Sequence, residues 1–323
     1  MQDENDVMNI IDNKIPVEKK KPGRPRKKVV SMPIEIHGIV NEPIDKGDEM
    51  ELAYCNPIMF KKLMQLYKAF EVSEIEMIFD TLGVKIITKD HLGKSIIYST
   101  IDGRCMNFYY CKKPIRICIK RDNLERVLST INKNHYKITF QLKEDYRSTM
   151  YLTIKDSEYN NENEYEVEVG TIPEEVIIGK IKDDESNYPI SFKISSKHFK
   201  TTINNSRKIS QTFTIQKCGD EPLQFTFDKP QKVNWIGVYN DPEKINLQSS
   251  LKDDDIFIVS VFIDHIKPFS NSNIGEEVFI YADKKEKMCF MTRMDKKDIG
   301  WACSVKIFTE IKNYRRFADE EAK

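Results

Sequence analysis

The chain lacks the short patterns from which most enzyme and metal-site readings begin. Its seven cysteines (Cys55, Cys105, Cys111, Cys118, Cys218, Cys289 and Cys303) include no Cys-x-x-Cys pair, so the sequence offers zinc no paired ligands. An odd, scattered set reads as reduced thiols in an intracellular protein, most of them small core or strand residues. There is no glycine-rich phosphate loop. His37, His91, His135, His198 and His265 are separated from one another and from any cysteine pair, which leaves neither a metal cluster nor a Cys-His dyad. Carboxylate runs such as Asp183-Asp184-Glu185 and Asp253-Asp254-Asp255 fall where connectors or turns are expected and read as solvated. No apolar run approaches the roughly 20 residues that span a bilayer, and the N-terminus is acidic and polar, unlike a signal peptide. These absences predict a chain without catalysis, metal, cofactor or membrane contact. Net charge is also missing: 51 basic residues balance 51 acidic ones. That excludes a uniformly basic nucleic-acid binder and moves the question to how the charge is distributed.

What is present is enough for two domains. The 323 residues are 40% hydrophobic, ample for a core once an untypical N-terminus is set aside. Residues 1–48 have no sustained apolar period and carry Pro16, Pro22, Pro25, Pro33 and Pro43, the pattern of a disordered tail. Within it the charge reverses sign. After an acidic opening, the ten residues Lys19-Lys20-Lys21-Pro22-Gly23-Arg24-Pro25-Arg26-Lys27-Lys28 include seven basic ones. This stretch resembles an AT-hook, whose Gly-Arg-Pro centre lies in the minor groove of A·T-rich DNA. Prolines keep the chain extended, glycine admits the backbone to the groove floor, and arginine enters its negative potential. Lys20, Lys21, Arg24, Arg26, Lys27 and Lys28 are the DNA-contact candidates there, and a nuclear localisation signal is the alternative reading.

From residue 49 the pattern is that of a folded domain. In the stretch 57–70, Phe60, Leu63, Met64, Tyr67 and Phe70 recur at helical spacing, while Lys61, Lys62, Gln65 and Lys68 take the other side. Taken alone, this is an ordinary surface helix with a solvated basic face. But the arrangement recurs about 140 residues later, where Ile190-Ser191-Phe192-Lys193-Ile194 leads into a second helix with its own Phe-Lys step at Phe199-Lys200. Strand-like runs follow each helix. A further helix is expected over 122–131, with Leu124, Val127, Leu128 and Ile131 inward and Arg126 and Lys133 outward. Another is expected near 262–269, short or kinked because of Pro268. The domain plan is therefore a tail over 1–48, one domain over 49–169, a connector over 170–188, a second domain over 189–311 and a charged C-terminal tail over 312–323.

Two copies of a strand, basic helix, strands, helix, strands unit resemble the DNA sliding clamp of the proliferating cell nuclear antigen type. Within that family the likeness is to the clamp-like protein of large DNA viruses of the African swine fever virus type. It covers about residues 49–315 and rests on Phe60-Lys61-Lys62-Leu63 with Lys68, on the turn Phe79-Asp80-Thr81-Leu82-Gly83-Val84, and on the repeat spacing. The resemblance implies an α+β DNA clamp fold: two similar domains, each with two helices packed on antiparallel sheets, assembling into a ring, usually a homotrimer, around duplex DNA. It assigns Lys61, Lys62, Lys68 and Arg126 to the DNA-facing helices, with Lys133, Lys197, Lys200, Arg207, Lys208 and Lys267 as further candidates. Thr201 and Asn204 stand where the family often has arginine.

The family also binds partner peptides, from a DNA polymerase and possible ligase or nuclease clients, beside the connector. The matching positions are Asp90, Leu92, Lys94 and Ile96 in one loop, with Val176, Ile177 and Ile178 in the connector. Two functions remain open: a processivity clamp, or a clamp-fold viral transcription regulator held on A·T-rich DNA by its tail. Either would work in the host nucleus or at a cytoplasmic viral replication site. Ring closure needs two free edge strands, and Thr149–Ile154 with Thr212–Ile215 are the expected pair.

Overall fold

The computed structural model describes residues 38–44, 47–54, 57–131, 136–171, 188–227, 235–239, 245, 247–252, 255–283, 288–296 and 300–311. All of them lie in one compact unit spanning 34–323. The first half contains β1 (Gly38–Ile39), β2 (Asp48–Tyr54), α1 (Ile58–Ala69), β3 (Glu74–Asp80), β4 (Gly83–Lys89), β5 (Ser95–Asp102), β6 (Phe108–Cys111) and β7 (Ile115–Lys120). It continues with α2 (Arg121–Ser129), β8 (Tyr136–Lys143), β9 (Thr149–Asp156), β10 (Asn161–Glu168) and β11 (Gly170–Thr171).

The second half repeats that order. It has β12 (Ile190–Ser195), α3 (Ser196–Ser206), β13 (Thr212–Cys218), β14 (Leu223–Phe227), β15 (Trp235–Tyr239), β16 (Gln248–Ser249) and β17 (Ile256–Phe262). Then come α4 (Ile263–Ser270), β18 (Glu277–Ala282), β19 (Met288–Lys296) and β20 (Gly300–Thr309). The expected helices are present. Pro268 sits inside α4 and not past its end; as its sixth residue, it removes only one bond from an eight-residue helix. Among the described residues, pairing begins at β1, which lies parallel to β6, ahead of the boundary at residue 49.

Pairing repeats as well as order. In each half a strand before the first helix joins the strand after the second (β2 with β8, β12 with β18). In each, three consecutive strands form a meander (β3, β4, β5 and β13, β14, β15). The halves are fused where β5 pairs with β20, from Cys303 opposite Ile101 to Thr309 opposite Ser95. This makes one ten-stranded sheet, β11-β7-β3-β4-β5-β20-β19-β18-β12-β16, flanked by a six-stranded sheet, β1-β6-β2-β8-β9-β10, and a four-stranded one, β15-β14-β13-β17.

The edge strands differ from expectation. β9, which contains Thr149–Ile154, is internal between β8 and β10, and β13, which contains Thr212–Ile215, is internal between β14 and β17. Beyond them, β10 and β15 stand at the edges of their sheets. Within one copy of the repeat, β9 and β10 both alternate, so periodicity does not rank them; which strand is outermost follows from long-range pairing.

Both halves bury one core between the helices and the sheets. The apolar stripe of α1 supplies Phe60, Leu63, Met64 and Tyr67, all fully buried, and Phe60 meets Phe140 of β8 with ring centroids 5.0 Å apart. In the second half Phe199 of α3 sits among Phe213, Phe269 and Phe290 at centroid distances of 6.5, 6.4 and 5.7 Å. The turn between β3 and β4 is locked by Asp80. Its Oδ1 accepts from the amides of Leu82 (2.8 Å) and Gly83 (3.1 Å), and its Oδ2 pairs with Lys85 at 2.8 Å. Burial would raise this carboxyl, but the bonds from Lys85 and the two amides outweigh it and hold the group below its usual range. Gly83 has φ of +151°, and a Cβ there would lie 2.1 Å from the Ile101 carbonyl oxygen, so no other residue fits this turn.

Candidate nucleic-acid interface

The four helices form a continuous layer on one side of the sheets. α1 packs on α2, α3 packs on α4, and α1 reaches α4 across the boundary between halves. Each turns its apolar face to the core and its polar face away from it. On these helices stand eight basic residues and three acidic ones, Asp122, Glu125 and Asp264. Arg207 and Lys208 follow α3 directly. In a chain of zero net charge, that concentrates positive charge on one layer, the footprint that phosphate binding requires.

The cations are not equivalent. Lys61 donates its Nζ to the Ile131 carbonyl at 2.7 Å, and Lys62 donates to the Asn273 carbonyl at 3.1 Å. Lys68 pairs with Glu125 at 2.8 Å, and Arg207 with Asp264 at 3.1 Å. Arg121, which the sequence reading did not single out, bonds Glu125 and pairs with Asp122 at 2.5 Å. Burial pushes the Glu125 carboxyl up, but Lys68 and Arg121 together overcome it and hold it below the usual range. Arg126, Lys197, Lys200, Lys208 and Lys267 make no side-chain hydrogen bond or ion pair among the described residues. Four of those five belong to the second half, the half in which Thr201 and Asn204 replace expected arginines. Lys20, Lys21, Arg24, Arg26, Lys27, Lys28 and Lys133 lie outside the described residues.

The loop between β4 and β5 carries three of the candidates for peptide contact, Asp90, Leu92 and Lys94, while Ile96 falls inside β5. Asp90 is buried and closes the loop, its Oδ1 accepting from the Ser95 amide at 3.0 Å. Leu92 is 58% exposed at the tip. Lys94 pairs with Glu310 at 3.1 Å, tying the loop to the end of β20. Ile96 belongs to a second apolar cluster, separate from the main core and on the sheet face away from the helices. There Ile87 and Tyr98 of the first half meet Tyr281, Met291 and Phe308 of the second, and the Tyr188 ring lies tilted against Tyr281 with centroids 5.5 Å apart. Among its members sequence reasoning had named only Ile96. The signal was available in β5, Ser95-Ile96-Ile97-Tyr98-Ser99, a run buried on both faces rather than alternating. Val176, Ile177 and Ile178 lie outside the described residues.

Among the described residues no three histidine, cysteine, aspartate or glutamate side chains are grouped to hold a metal ion. No helix there is long and apolar enough to cross a membrane.

Comparison with solved structures decides the fold. The crystal structure of the proliferating cellular nuclear antigen from Entamoeba histolytica superimposes with a TM-score of 0.66 at 14% identity, covering 82% of this chain and 100% of that one. The chain has the DNA clamp fold. The chain is also similar to uncharacterized proteins of African swine fever virus. Those from a tick isolate from Malawi and a pig isolate from Kenya are each 27% identical over 280 residues, spanning 85% of this chain and 93% of theirs. No protein-family model matches the chain.

Proposed function

We propose that the chain is a DNA sliding clamp. Copies join head to tail, three to a ring, around duplex DNA, and tether a DNA polymerase, with ligase or nuclease as further clients. The carrying observation is the fusion of the halves through β5 and β20 while their counterparts, β15 and β10, stand at sheet edges. A second copy offers β10 the same antiparallel pairing that β20 already makes, and repetition of one rotation closes a ring. The edge itself suits that role. β10 alternates glutamates at 162, 164, 166 and 168, charges that discourage pairing with strands other than the intended one.

With the ring closed, the helix layer lines the hole and meets phosphates without reading bases, so the protein slides while topology prevents escape. Exposed Leu92 at the loop tip and the connector residues Val176, Ile177 and Ile178 form the surface for client peptides, over the buried apolar cluster behind β5 and β20. The tail motif from Lys20 to Lys28 adds a hook on A·T-rich DNA.

The internal repeat supplies a register for the junction between copies. Gly237 pairs with Phe225 as Ser99 pairs with Ile86, and Asn163 pairs with Ile154 as Val305 pairs with Thr292. Since Ser99 faces Val305 within one chain, Gly237 should face Asn163 of the next. Opposed antiparallel residues lie about 4.5–5.5 Å apart at Cα, within disulfide reach. Combining Asn163→Cys with Gly237→Cys should therefore give, on mild oxidation, covalent species ending at three chains on a denaturing gel, while either single variant stays at one chain. A folded double variant that remains at one chain would refute this junction.

A further inference from the structure

The two helix pairs share a feature that the clamp reading alone does not require. Lys68 lies eight residues after Phe60, and Arg207 eight after Phe199, so the two cations occupy matching places at the ends of α1 and α3. Each is bridged to an acid on the other helix of its pair, Lys68 to Glu125 of α2 and Arg207 to Asp264 of α4. Each bridge joins residues 57 apart in sequence. The acids are not at matching positions, Glu125 being fifth in α2 and Asp264 second in α4, yet the outcome is the same. The two halves reach one arrangement by different residues.

Stability does not explain the repetition. The Lys68 and Arg207 side chains are 61% and 51% exposed, and Asp264 is 74% exposed, and ion pairs so open to water contribute little to folding. What the acids do change is the charge that this layer presents to a polyanion. A phosphate approaching Lys68 must displace a carboxylate already held at 2.8 Å, and that carboxylate, still bonded by Arg121, remains beside it.

Resting on the clamp reading above, we infer that Glu125 and Asp264 are counter-charges that keep the hold on DNA weak, competing with phosphates for Lys68 and Arg207 so that the ring moves along the duplex. They share the layer with Arg121, which also bonds Glu125, and with Asp122, which pairs with Arg121. Arg121 stays engaged by Asp122 and by the Val72 carbonyl, to which its Nε donates at 2.7 Å, even when Glu125 is neutral, and Lys68 is the cation that is released.

The test is equilibrium binding of the full chain to a duplex across a salt series, paired with tracking of labelled protein on stretched DNA. Glu125→Gln and Asp264→Asn should each bind several-fold tighter at low salt. The slope of log affinity against log salt should steepen by about 0.9 for each additional phosphate neutralised, and diffusion along the duplex should slow. Glu144→Gln removes an exposed acid paired with Lys112, away from the helices, and should leave all three readings as in the unaltered chain. Lys68→Gln should cost little alone but more in the Glu125→Gln background, a coupling that a double-mutant cycle isolates.

Binding by Glu125→Gln and Asp264→Asn that matches Glu144→Gln would overturn the inference, as would tighter binding with an unchanged salt slope. If the unaltered chain itself shows no salt-dependent affinity for duplex, the clamp reading falls and this inference with it. That outcome is distinguishable because unaltered and control proteins are then equally inert.

Discussion

Replacing Lys197, Lys200 and Lys208 together by alanine should weaken duplex binding by on the order of 10- to 100-fold at moderate salt, and flatten the salt slope by about 1 for each lysine that meets a phosphate. These three carry the prediction because nothing among the described residues competes for them. The equivalent change in the first half, Lys61, Lys62 and Lys68 to alanine, should cost less. Those ammonium groups already donate to the Ile131 and Asn273 carbonyls and to Glu125, so a phosphate gains from them only after those bonds are exchanged. A salt series on both triple variants, with melting curves to establish that each is folded, reads the difference directly. Equal losses would mean that the hydrogen-bonded state of the first-half lysines does not limit their use.

Phe199→Ala should cost about 3–5 kcal/mol of stability. The ring is fully buried and touches three other aromatic rings drawn from β13, α4 and β19, so its loss leaves a cavity that none of those elements is free to fill. Aromatic contacts of this geometry add to the area term. The cost exceeds a surface substitution by far, and because Phe199 holds α3 to the sheets it should also disturb the placement of Lys197 and Lys200. Denaturant unfolding would measure it. A loss below about 1 kcal/mol would show that the second-half core repacks around the gap, outside the usual range for a buried aromatic.

These two predictions draw on the parts of the molecule that were most legible in the sequence. The spacing of Phe60, Leu63, Met64 and Tyr67 marks one face of a helix, and the Phe-Lys step at 199–200 repeats it, so both the helix layer and its basic side follow from local periodicity. Less was legible wherever the determining contact is distant in sequence. Alternation alone does not mark β10 as an edge, since it is the same in edge and internal strands until the neighbours are known; the row of glutamates in β10 was the local sign of an edge. The pairing of Gly38–Ile39 with β6 involves only two residues and a partner some seventy positions away. Lys68 reads as a free cation on its own helix, and only the packing of α2 brings Glu125 to it. The apolar cluster on the outer sheet face is hard to separate from the core in sequence, because Ile87 and Ile96 neighbour core residues Ile86 and Ile97, and the run in β5 shows only that both of its faces are covered.

Retention on circular against linear DNA tests the central claim most directly. The protein, assembled on a nicked circular duplex and washed in salt high enough to break ordinary phosphate contacts, should stay bound, and should leave promptly once a single cut linearises the circle. Topological linkage predicts that difference, since only an encircling ring is held by the absence of an end. Equal release from circular and linear DNA would contradict encirclement and leave the clamp fold as a scaffold held to DNA by contact alone.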